Sequence, residues 1–104
     1  MATSPNANKV KRLRDRDGDL CWLCNDEIDF TATPNSSSAW SIEHLLAKKH
    51  GGVGKVENLV LCHPPCNRRL RDLSLAEKIS LREERRRTLW VQGLVARAVQ
   101  VLAA

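Results

Sequence analysis

The amino-acid sequence predicts a small α+β domain: a strand-turn-strand-helix core stapled by a metal ion, with one helix ahead of it and another behind. Three observations carry that expectation. The chain has 104 residues, enough for one domain that buries a modest share of its surface; with one phenylalanine, no tyrosine and three scattered tryptophans it needs a staple besides aromatic packing. Its four cysteines fall into two close pairs, Cys21/Cys24 and Cys62/Cys66. Between the pairs, two short strand-like runs bracket a glycine-rich turn and lead into a helix opened by proline.

Residues 1–18 are expected to form a basic N-terminal helix or arm. The stretch to Asn8 is polar; from Asn8 to Arg16 the residues favour helix, with Asn8 as N-cap, Val10 and Leu13 on one face and Gly18 as the stop. Residues 19–73 are expected to hold the core. Within them Thr31 to Ser38 is a loop by composition, rich in Thr, Pro, Asn and Ser. Trp40, Ile42 and His44 then alternate with Ser41 and Glu43 as a first strand, Gly51, Gly52 and Gly54 mark a turn, and Leu59 to Cys62 is a second strand. Pro64 and Pro65 suit the first turn of a helix, where a missing amide proton has no helical partner, so helix is expected through Asn67 to Leu70.

Residues 74–104 read as a helical extension. It opens on Ser74-Leu-Ala-Glu77, a capping-box pattern, and its Leu89, Trp90, Leu94, Val95, Ala98, Val99 and Leu102 supply an apolar side too broad for a free helix. That side must bury against something: the first helix, a second copy in a homodimer, or a larger protein partner. Gly93 is a position where the segment can bend or divide.

The cysteine motifs, Cys21-Trp-Leu-Cys24 and Cys62-His63-Pro-Pro-Cys66, offer five soft or borderline ligands for a four-coordinate ion, an inventory that suits zinc. Two ligands separated by two residues can reach one tetrahedral ion from a tight turn, and Cys21/Cys24 with His63/Cys66 repeats that spacing twice. His63 is therefore the preferred fourth ligand, with Cys62 as the alternative. A strand phase that buries Leu59 and Leu61 sends Cys62 to the other face, where it packs as a small hydrophobe. A thioredoxin-like redox pair at Cys21/Cys24 is the competing reading, but no βαβ pattern surrounds it.

Between and beyond the two half-sites stand Ile42-Glu43-His44, Gly51-Gly52, Glu57-Asn58-Leu59 and Cys66-Asn67-Arg68-Arg69. Here the sequence resembles the HNH endonuclease family, whose pattern runs CxxC, an acidic residue or His followed by His, a GG turn, an Asn-Leu pair, and a last His or Asn directly after a zinc-ligand Cys. The resemblance covers Cys21 to about Arg71. It implies a ββα-metal fold and a nuclease that hydrolyses phosphodiester bonds. It further implies His44 as general base, Glu43 and Asn67 as ligands of a catalytic magnesium or manganese ion, and Asn58 as the residue that orients the base. These types suit those roles: a neutral imidazole accepts a proton near neutral pH, and carboxylate and amide oxygens are the hard donors such ions take. The family often carries Asp or His at the place of Glu43. Neighbours on a strand also point to opposite faces, so Glu43 and His44 are expected to share a site only where the strand ends or bulges.

A net charge of +5 and a pI near 9.4 favour a polyanionic partner. Nucleic acid, double-stranded DNA above all, is the expected partner, with Arg68, Arg69 and Arg71 gripping phosphates from the helix after Asn67. His50, beside Lys48 and Lys49, reads as a solvated loop residue. No signal-peptide pattern or membrane-spanning run is seen, so the cytoplasm is the expected compartment. A catalytically silent, zinc-stapled module that binds nucleic acid or protein is the alternative class.

Overall fold

The structure, a computed structural model, describes residues 6–103. In chain order it holds helix α1 (Ala7–Asp17), strand β1 (Ser41–His44), strand β2 (Leu59–Cys62), helix α2 (Pro64–Leu70) and helix α3 (Leu75–Ala103), with one-turn 3-10 helices at Lys48–His50 and Val56–Asn58. This is the expected α+β arrangement. The first five residues of the expected N-terminal arm lie outside the described residues.

Helix α1 starts earlier than the sequence suggests: Asn6 occupies the N-cap and Asn8 lies inside the helix, so Asn8 is not the cap. Asn6 itself makes no side-chain capping bond. At the other end Gly18 takes φ +80°, a conformation glycine adopts without penalty, and its N–H bonds Arg14 O at 2.8 Å. Leu13 is fully buried, and Arg16 donates to the carbonyls of Val56 and Leu59 at 3.0 and 2.8 Å, which fastens the helix to the second strand.

The two strands pair antiparallel, Ser41 opposite Cys62, Ile42 opposite Leu61, Glu43 opposite Val60 and His44 opposite Leu59. Alternation therefore sorts them by face. Ser41, Glu43, Val60 and Cys62 share one face and Ile42, His44, Leu59 and Leu61 the other. All four residues of β2 are buried, so both faces of that strand are covered and Leu59 and Leu61 do not leave Cys62 on an open side. Cys62 is still a packed thiol, at 0 % exposure.

The long connection between the strands is held by two glycines and one asparagine. Gly51 sits at φ +91°, and a β-carbon on Gly52 would collide with Leu46 O, so any side chain there is excluded.

Helix α3 opens on the reciprocal capping box that its sequence advertises: Ser74 N–H donates to Glu77 Oε1 and Glu77 N–H to Ser74 Oγ, both at 3.1 Å. Its inner half docks on the core through Lys78, Leu81, Arg82 and Arg85. Gly93 does not divide it. The residues from Trp90 to Ala103 are all exposed, so the apolar side of the outer half is not packed on α1. Among the described residues no helix is long and apolar enough to cross a membrane.

Candidate active site and metal centre

The first site is a cluster of sulfur and nitrogen. Sγ of Cys21, Cys24 and Cys66 and a ring nitrogen of His63 all lie within 4.8 Å of one another. A tetrahedral zinc ion with bonds of about 2.0–2.3 Å sets its ligands just under about 4 Å apart, so the cluster fits that ion with small adjustments. The half-sites are built differently. Cys21-Trp-Leu-Cys24 is a knuckle closed by Cys21 N–H to Asp26 O at 2.9 Å, with Asn25 at φ +66° making the reversal and a bridge between Leu20 and Glu27 at its base. His63 and Cys66 flank the first turn of α2, whose two prolines fill the positions where no amide is needed.

Hydrogen bonding selects the His63 nitrogen that faces the cluster. Nε2 lies 2.8 Å from Glu27 O, which can only accept, so Nε2 carries the proton and donates. Nδ1, 3.4 Å from Cys24 Sγ, then presents a lone pair. A protonated far nitrogen bonded to a carbonyl is the usual support of a metal-bound histidine. Cys62 lies outside the four-membered cluster, and its thiol donates to the Cys21 sulfur. That bond, with amides such as His63 N–H 3.5 Å away, draws the Cys21 thiol down to about 4. Burial pushes Cys24 and Cys66 up, and the charge of Cys21 adds to it. A dication at the centre of the group would favour the thiolate form of all three cysteines.

The second site lies at the end of β1. Ser41 and Glu43 face α2, and Asn67 of α2 donates through Nδ2 to Ser41 Oγ at 2.9 Å and to Ile42 O at 3.0 Å. These bonds orient the amide so that Oδ1, unbonded among the described residues, keeps its lone pairs free. Glu43 is 4 % exposed; its Oε1 accepts from Lys78 Nζ at 3.0 Å, and its Oε2 is buried without a partner. Lys78 is 0 % exposed and also donates to His44 O at 2.6 Å. Burial raises the Glu43 carboxyl above its ordinary range, against the opposing pull of Lys78.

His44 ends the strand and faces the other way, as alternation requires. The strand runs to His44 in regular register, without a bulge, so Glu43 leaves β1 on the face of Ser41, which Asn67 bonds, while the imidazole leaves on the other. It opens instead into a pocket of about 520 Å³ walled by Lys9, Trp40, Ile42, Lys48 and Gly54. A methyl group built on Gly54 would lie 3.8 Å from Lys9 Nζ and 4.0 Å from His44 Nε2, so one empty point touches both nitrogens. Partial burial lowers the His44 pKa, and Lys48, Lys78 and Lys9 lower it further.

Asn58 bonds the chain that follows His44 and not its ring. Its Oδ1 accepts from Leu46 N–H at 2.8 Å, and its Nδ2 donates to Leu46 O and Val53 O at 3.0 and 2.9 Å. Arg68, Arg69 and Arg71 are exposed and make no ion pair among the described residues. His50 is exposed but not merely solvated, since its Nε2 donates to Asp72 O at 3.0 Å.

The sequence reading missed Lys78 at this centre, and it missed the two arginines of α3 that donate to the knuckle: Arg82 to Trp22 O at 2.9 Å and Arg85 to Cys24 O at 3.2 Å. A charged residue on a helix carries no mark of burial; the spacing of Lys78, Arg82 and Arg85 along one side of α3 is the only signal there was.

A two-stranded hairpin backed by a helix, with a Cys3His cluster compatible with zinc at the helix start, is a ββα arrangement. The HNH endonuclease family model matches residues 21–72, half of the chain, and the chain belongs to that family. No curated protein and no solved structure matches it.

Proposed function

We propose that this protein is a metal-dependent endonuclease that hydrolyses phosphodiester bonds of double-stranded DNA. The observation that carries the proposal is the setting of His44: an imidazole held toward its neutral form, in an open pocket walled by two lysines, at the end of the strand that also presents Glu43. His44 Nε2 takes the proton of the attacking water as the new oxygen–phosphorus bond forms and the bond to the departing sugar oxygen breaks. Lys9 and Lys48 draw the phosphate to the pocket, and Arg68, Arg69 and Arg71 hold its neighbours. Asn58 keeps His44 in place by clamping the loop beyond it.

Glu43 Oε2, a buried oxygen without a partner, and Asn67 Oδ1 are the hard donors that would hold magnesium or manganese. Such an ion would supply positive charge toward the phosphate from the Glu43 face of β1, opposite the face on which His44 lies. Cys21, Cys24, His63 and Cys66 would hold zinc in a structural role, since four protein ligands within 4.8 Å of one another can fill all four positions of a tetrahedral ion. Any protein partner or second copy is placed on the exposed apolar side of the outer half of α3.

The second reading, a zinc-stapled nucleic-acid-binding module without chemistry, is favoured by one observation: Lys78 already neutralises Glu43. Conversion of supercoiled plasmid to nicked or linear forms in magnesium or manganese separates the two. The nuclease reading expects cleavage; binding with no cleavage in either metal supports the module.

A further inference from the structure

Lys78 is the least expected group in the molecule: a lysine at 0 % exposure, contributed by the helix that follows the matched family domain. Its ammonium sits 3.0 Å from Glu43 Oε1 and 2.6 Å from His44 O, so it bridges the carboxylate expected to bind metal and the main chain of the expected base. The capping box at Ser74 and Glu77 starts the helix, and Lys78 N–H bonds Ser74 O at 3.0 Å, which sets the first turn that carries the side chain.

Charge decides what this arrangement does. The hard-donor set consists of one carboxylate, Glu43, and one neutral amide, Asn67. With Lys78 in place its net charge is zero, and a dication brought to Glu43 Oε2 would meet an ammonium held on the other oxygen of the same carboxylate. Oε2 is also shielded from water, so an incoming ion needs the surrounding side chains to move.

We propose that Lys78 is an internal cation for the hard-ligand side of this centre, one that competes with the divalent ion at Glu43 and keeps its affinity low. The proposal rests on the assignment of Glu43 and Asn67 as that ion's ligands, but not on the protein's cutting DNA. It makes Lys78 a positioning residue: it holds Glu43 in one rotamer and sets how readily metal enters.

The test reads metal binding, not cleavage. Free manganese is measured by its electron paramagnetic resonance signal as the ion is titrated into zinc-loaded protein. Lys78→Met, which keeps much of the side-chain volume and removes the charge, is expected to bind one manganese ion at least about tenfold more tightly than the parent. Lys78→Arg keeps the charge and is expected to stay at the parent's affinity, and Glu43→Gln in the Lys78→Met background should abolish the gain. Equal affinity of parent and Lys78→Met overturns the proposal. Should Lys78→Met lose its zinc and its fold, the parent carries the test through the slowly exchanging Lys78 ammonium resonance in lysine-15N protein. Loss of that signal as magnesium binds agrees with competition; magnesium bound with the signal unmoved, or no magnesium bound at any concentration up to tens of millimolar, overturns it. A parent that binds manganese yet never cuts plasmid would sink the nuclease reading and leave this comparison intact.

Discussion

Lys78 Nζ and Glu43 Oε1 form a 3.0 Å ion pair in which the two side chains are 0 % and 5 % exposed, joining the C-terminal helix to the first strand. Two charges so far from water depend on each other. Breaking such a pair from one side leaves a buried charge alone, whereas replacing both partners with apolar groups removes the penalty.

Glu43→Ala is therefore expected to destabilise the fold by about 3–5 kcal/mol in urea or thermal unfolding, and the double change Glu43→Ala with Lys78→Met to recover most of that loss. Additive losses in the two single variants would mean that the pair is not coupled.

Zinc removal should act on the whole core. Chelation, or Cys21→Ser, is expected to abolish the cooperative melting transition, because ligation supplies folding free energy that a core of this size lacks. His63→Ala should lose zinc and Cys62→Ala keep it, since Nδ1 of His63 faces the sulfur cluster while Cys62 lies outside it. Zinc content by elemental analysis decides between them; reversed stoichiometries would make Cys62 the fourth ligand.

The order of elements was legible in the residues themselves. The glycine turn, the Ser74-Glu77 box and the paired prolines each have a local cause, so the bounds of β2, α2 and the start of α3 follow from short-range rules. The Cys3His cluster was legible too, from two repeats of one spacing. What could not be read were long-range partners of ordinary polar residues. Nothing local tells that Lys78 is buried while Arg68 is exposed, or that Asn58 clamps Leu46 and Val53 and leaves the His44 ring alone. The opposed directions of Glu43 and His44 follow from strand period alone, and the regular register keeps them apart.

For Asn58→Ala, three hydrogen bonds to the main chain of Leu46 and Val53 disappear together. A loss of roughly 1–3 kcal/mol in stability is expected, with slower cleavage and nearly unchanged DNA affinity. Unchanged turnover in a measurably destabilised variant would show that the loop does not govern His44.

Activity should depend on pH through His44. Its folded pKa lies below the ordinary 6.5 because of burial and the charges of Lys48, Lys78 and Lys9, and a bound dication would push the same way. The neutral form is the base, so kcat/KM should rise with pH along an acid limb with its midpoint below 6.5. The same depression means that folding favours the neutral ring, and its share of stability is lost as pH falls from the unfolded value through the folded one. An acid limb centred above 6.5 would contradict the assignment.

Charge reversal at Arg68 or Arg69 is expected to weaken binding of unrelated duplexes alike and to lower the salt slope by about 1 for each phosphate that the variant no longer neutralises. Fluorescence anisotropy in metal-free buffer over a range of salt reads both quantities. A change confined to one sequence would point to base recognition instead.

The most direct measurement compares parent and His44→Ala protein in two parallel assays, plasmid cleavage in magnesium or manganese and duplex binding in the same buffer. His44→Ala takes away the proton acceptor and spares the zinc cluster, Glu43 and Asn67, so cleavage should fall by at least about a hundredfold while DNA affinity stays within about twofold of the parent. Cleavage by His44→Ala at the parent's rate would contradict the account.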